Sequence, residues 1–163
     1  MTFRSRFIEA AAITSTRVAD FHRYWQDRCV DGKPPSRAAI DPTEIPRLLP
    51  YLVITEIEAE PMRIRYRLVG TQAVETTGWD FTNRYLDECG FVVEPLLVEC
   101  YRRLVATRAP VFGYYEWFKK DWHRPKGAIG ANECGFFPLS SDGVRIDMAM
   151  DIADPCIPPQ SAA

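Results

Sequence analysis

Residues 63–68 read Arg-Ile-Arg-Tyr-Arg-Leu. Basic and apolar side chains alternate without a break. Only an extended strand sends every second side chain to the same face, so this run predicts a strand with one dry face. Gly70 closes it. Residues 51–58 form a second apolar run, and the turn Glu60-Pro61-Met62 joins the two as an antiparallel hairpin. The last third of the chain repeats the theme. Residues 111–119 and 131–139 are rich in aromatic and apolar side chains, and Ser140-Ser141-Asp142-Gly143 is a turn signal. Val144, Ile146, Met148 and Met150 then alternate with Arg145, Asp147, Ala149 and Asp151. That alternation predicts a fifth strand, with Asp147 and Asp151 on its solvated side.

Helical spacing fills the gaps between the strands. Val18, Phe21, Trp25 and Cys29 predict a helix over 15–31, capped by Ser15 or Thr16 and stopped by Gly32. Asp41-Pro42-Thr43-Glu44 predicts a short helix, with Asp41 as cap and Glu44 placed for a capping box. Residues 71–77 form a short helix ending at Gly78. Residues 93–108 form a longer one, with Leu97, Cys100, Tyr101, Leu104 and Val105 on one stripe. The expected architecture is α+β: a five-stranded antiparallel sheet with helices on one face and an additional N-terminal helix. Residues 1–14 read as an N-terminal extension, 15–151 as a single domain and 152–163 as a flexible tail.

Composition narrows the function classes. The 163 residues carry 20 basic and 22 acidic side chains, a formal net charge of -2, so no basic stripe marks a nucleic-acid partner. No apolar run approaches the roughly 20 residues of a membrane span. Five cysteines without a Cys-x-x-Cys pair predict reduced thiols in a cytoplasmic protein. Gly-x-Ser-x-Gly, P-loop and Gly-x-Gly-x-x-Gly signatures are absent, and no enzyme is expected. No heme, flavin or metal signature is present: the long helix has no histidine, Cys89 is misplaced for a flavin photosensor, and His22 and His123 stand a hundred residues apart.

Several short stretches occur in a telling order: Pro35-Ser36-Arg37, Ile40-Asp41-Pro42, Leu48-Leu49-Pro50-Tyr51-Leu52, Arg65-Tyr66-Arg67-Leu68-Val69-Gly70-Thr71, Gly78-x-Asp80-x-Thr82-x-Arg84 and Phe137-Pro138-Leu139-Ser140-x-Asp142-Gly143. Together they resemble the PAS_5 family, short PAS-like proteins of alphaproteobacteria formerly described as a domain of unknown function. The resemblance runs over about residues 15–150. Asn83 departs from it, standing where the family has Gly, and Asn tolerates the left-handed backbone such a turn needs. The resemblance implies a PAS-like sheet with a cavity under its helices, and a sensory or interaction role. It supplies no catalytic residues.

The ligand-binding candidates are Tyr66, Leu68, Trp79, Arg84, Tyr101, Leu104, Tyr115, Trp117, Phe136 and Met148. They would line the cavity or form an ordinary core. Arg84 could grip an anion, or its segment could be a turn tied by Asp80 and Thr82. Arg67 could hold Glu133 in an ion pair or touch a ligand. Val18, Phe21 and Trp25 would pack across the outer sheet face or against a second subunit in a homodimer. Three functions fit. The first is a stand-alone sensory module that binds a small ligand or a protein partner. The second is a small isomerase or hydrolase using His22 or Asp80 near Tyr66. The third is a ligand-free interaction domain that uses the basic loop of Lys119, Lys120, His123, Arg124 and Lys126.

Overall fold

The computed structural model describes residues 5–91, 93–118 and 129–156. Its centre is one six-stranded antiparallel sheet in the order β1-β4-β5-β6-β2-β3. The strands are β1 (Ser5–Ile8), β2 (Leu52–Ala59), β3 (Met62–Val69), β4 (Val111–Phe118), β5 (Ile129–Leu139) and β6 (Met148–Cys156). Three helices cover it: α1 (Thr16–Arg28), α2 (Thr71–Thr77) and α3 (Glu94–Thr107).

The sixth strand, β1, comes from the expected N-terminal extension. Its four residues pair with β4, Ser5 opposite Tyr115 and Ile8 opposite Phe112. The helices also divide between both faces. One apolar cluster joins Cys100, Tyr101 and Leu104 of α3 to Val53, Tyr66, Cys134, Phe136 and Ala149. The other joins Val18, Phe21 and Trp25 of α1 to Leu52, Ile54, Phe112, Phe137, Met150 and Ile152. Val18, Phe21 and Trp25 are thus buried against this chain's own sheet, and a second subunit has no access to them. Trp25 adds a hydrogen bond, its indole N–H donating to the Pro138 carbonyl at 2.9 Å.

Two buried carboxylates fasten the start of α1. Glu133 on β5 accepts from the backbone N–H of Thr14, at 2.8 Å, and of Ser15. Asp154 on β6 accepts from the Ser15 hydroxyl at 2.7 Å and from Arg17 at 2.8 Å. The Ser15 hydroxyl in turn caps the helix by accepting from the Val18 N–H. These contacts explain why polar side chains survive on buried strands. They also overturn the pairing of Arg67 with Glu133. Arg67 lies on the far edge strand and faces Glu56 instead, 3.7 Å away.

The helix expected after Asp41 is reduced to single 3-10 turns at Pro42–Glu44 and Leu49–Tyr51. Asp41 does cap its turn, accepting from the Thr43 N–H at 2.9 Å. Glu44 turns away from the capping box to accept from the Tyr24 hydroxyl at 2.8 Å, and it pairs with Arg28. At the other end of the sheet, β6 begins at Met148 rather than Val144. The Asp142 carboxylate holds residues 140–145 as a loop by accepting from the Val144 and Arg145 N–H groups, both at 2.8 Å. β6 then runs through Pro155 and Cys156, into the segment expected as tail. Pro155 fits because β6 pairs with β2 only as far as Ile152, so one edge of the strand is free there.

Candidate functional site

The α3 face of the sheet carries the chemistry. Asp151 sits at the middle of β6, between Val53 of β2 and Phe136 of β5. The expectation of a solvated strand face fails here. β6 is an inner strand with a helix over each face, so both sets of side chains are buried. Asp151 is 7% exposed, whereas Asp147 precedes the strand and accepts from the Ser141 N–H.

The Asp151 carboxyl has one partner and one orphan oxygen. Its Oδ2 accepts a short hydrogen bond from the Tyr101 hydroxyl. Its Oδ1 is buried without a hydrogen-bond partner among the described residues. No salt bridge among the described residues reaches either oxygen. Burial pushes the carboxyl up to about 8, and the Tyr101 hydrogen bond offsets only part of that. Burial also raises the Tyr66, Tyr101, Tyr115, Cys100 and Cys134 groups around it, Cys100 to about 12. Near neutral pH, Asp151 is therefore the member of this cluster that can change charge. Leaving a buried polar atom unpaired costs about 1–3 kcal/mol, so a fold that does so needs a reason.

Aromatic rings complete the surroundings. Tyr101 meets Phe136 edge to face at 5.4 Å. Tyr66 meets Phe81 in the same way at 4.6 Å, and Phe91 stands 5.2 Å from Phe81. Trp79, 5.8 Å from Phe81, ends this row at the exposed surface. Asn132 on β5 donates to the Tyr115 hydroxyl at 2.8 Å.

The structure gathers Tyr66, Trp79, Tyr101, Leu104, Tyr115 and Phe136 on this face. The Trp117 side chain lies outside the described residues, as does the basic loop with His123. Leu68 does not join the site. Opposite Ile54 and Thr55, β3 presents Leu68 and Tyr66, so Arg67 is an extra residue. This bulge moves later residues to the other face. Val69 takes the inward place, and Leu68 is 47% exposed. Met148 also packs with the α1 cluster, one residue out of phase with Ala149 and Asp151.

Arg84 is exposed, and its segment is a tied turn. The Asp80 carboxylate accepts from the Thr82 N–H at 2.9 Å and from its hydroxyl at 2.6 Å. Asn83 takes a left-handed φ of 67°, as its position demanded. The Asn83 N–H then donates to the Tyr66 carbonyl at 2.6 Å, and the Tyr66 N–H donates to the Arg84 carbonyl at 2.9 Å. The segment covers the open edge of β3. His22 rests on Phe112 and Phe137 across the sheet, and Asp80 is fully exposed, so neither reaches Tyr66. The pair proposed for catalysis is not assembled. From the sequence Asp151 reads as a solvated strand residue, because it alternates with Met148 and Met150 as on a half-exposed strand.

The family model PAS_5, a PAS domain, matches residues 13–91. This segment is PAS-type. The resemblance drawn from the sequence holds over that stretch, and the Phe137–Gly143 motif lies beyond the match. No curated protein matches the chain. Among solved structures, an RNA-binding Light-Oxygen-Voltage receptor is similar at 18% identity and a TM-score of 0.48. That match covers 77% of this chain, which spans 36% of the receptor's length. No helix among the described residues is long and apolar enough to cross a membrane.

Proposed function

We propose that this PAS-type chain is a sensory module that binds a small molecule beside Asp151 and answers by a change in shape or association. The orphan Oδ1 of Asp151 carries the reading. It is a buried carboxyl oxygen, unpartnered among the described residues, on the sheet face that carries Tyr66, Tyr101 and Phe136, and the ring row from Tyr66 leads to exposed Trp79. Apolar walls with a few fixed polar groups suit small-molecule recognition. The site holds a binding group and assigns no reaction.

A route for the signal follows from strand geometry. Asp151 faces α3, while its neighbours Met150 and Ile152 face α1. A ligand that moves β6 therefore acts on the packing of α1, whose start is fastened by Glu133 and Asp154. In this scheme α1 is the two-state element. All five cysteines are free, which supports a reducing, cytoplasmic setting.

Native mass spectrometry of freshly purified protein, repeated after denaturation, tests the binding reading. A retained mass that disappears on denaturation is expected. A bare chain mass from several expression conditions would remove the observation's functional meaning.

A further inference from the structure

We infer that the molecule bound beside Asp151 is a protonated primary amine carried on an aromatic or apolar body. The inference rests on the binding reading above and adds the ligand's chemistry. Three observations lead to it. The unpaired oxygen is an acceptor once the carboxyl is ionised, so a ligand that takes that form must present a donor. Among the described residues no Lys, Arg or His pairs with this carboxyl, so the missing complement to its ionised form is a cation. The rings nearby, among them Tyr66, Phe81, Tyr101 and Phe136, favour cations over their faces and disfavour anions. A quaternary ammonium fits the rings but cannot donate to Oδ1. A primary ammonium does both.

Binding such a cation requires Asp151 to give up its proton. The titratable groups around it are Cys100 and Tyr101 on α3, Tyr66 on β3, Tyr115 on β4 and Cys134 on β5. All are held in their neutral forms near neutral pH. Thr55 on β2 does not titrate. Glu99 and Arg103 of α3 pair with each other at 3.0 Å in an exposed hydrogen bond. Amine binding below about pH 8 is therefore linked to release of one proton, from Asp151.

Isothermal titration calorimetry with 2-phenylethylamine, 2-phenylethanol and phenylacetate tests the inference. These probes share a ring and differ in the group they offer. The amine stays cationic from pH 6 to 8.5, as alkylamines do. We expect only the amine to bind, with affinity falling about tenfold per pH unit below 8 and one proton released per amine. Asp151→Asn should abolish amine binding. The wild-type pH series needs no variant, so a misfolded mutant does not blunt the test. Preference for the alcohol or phenylacetate, or amine binding that ignores pH, overturns the inference. A retained neutral or anionic molecule in the native mass spectrum also overturns it, while leaving the binding reading intact. No retained mass and no binding of any probe sinks both.

Discussion

Replacing Asp151 by Asn should change the pH dependence of stability more than stability itself. The carboxyl titrates at about 8 in the folded chain, against an ordinary value of 3.8. The folded state thus holds the proton more tightly than the unfolded chain. Its stabilising contribution is fully present below about pH 4 and is lost as pH rises to about 8. Each pH unit in that window costs about 1.4 kcal/mol, or on the order of 4 kcal/mol between pH 5 and pH 8. The Asn side chain keeps a carbonyl for the Tyr101 hydroxyl but cannot ionise. It also buries an amide without a partner, at a pH-independent cost of about 1–3 kcal/mol. The variant should therefore be the weaker protein at pH 5 and the equal or stronger one at pH 8.5. Urea unfolding of both proteins at half-unit pH intervals reads this difference, because all other titrating groups cancel. Two parallel stability curves would refute the reasoning, since they would mean Asp151 ionises at an ordinary pH.

Other consequences can be measured in the same way. Tyr101→Phe removes the one influence that lowers the Asp151 titration, so that titration should move further up in a carboxyl NMR series. Glu133→Ala strips the acceptor from two backbone N–H groups at the start of α1, and chemical denaturation should show a loss of about 2–3 kcal/mol. Phe21→Ala should cost about 3–5 kcal/mol in the same assay, because Phe21 fills the core of its own chain. Gly70→Ala should unfold the protein or nearly so, since the added carbon would stand 2.4 Å from the Pro50 carbonyl oxygen. A Gly70→Ala melting temperature within a few degrees of wild type would contradict that packing.

Local signals in the sequence located most elements. The Ser15 cap, the Gly78 stop and the Cys100, Tyr101 and Leu104 stripe of α3 each act within a few residues, and each is where its pattern put it, whereas Val105, expected on the same stripe, is exposed. Asn83 is legible for the same reason, as one of the few residues that accept a left-handed backbone. Three features depend on long-range pairing and were not legible. The bulge at Arg67 arises only when β3 meets β2, and it alone turns Leu68 out of the site. β1 is four residues long and gains its order from β4. Asp151 alternates like a surface residue, but surface or core is decided by strand order, and β6 lies between β5 and β2.

The account turns on one carboxyl group, and its titration can be followed directly. Carbon-13 NMR of the aspartate side-chain carboxyls between pH 4 and pH 10 would resolve it, with Asp151→Asn providing the assignment. The account predicts one aspartate that titrates near pH 8 and becomes ionised at pH 7 when 2-phenylethylamine is added. If every aspartate titrates below pH 5 and none responds to the amine, Asp151 is an ordinary carboxylate and the proposed site is contradicted.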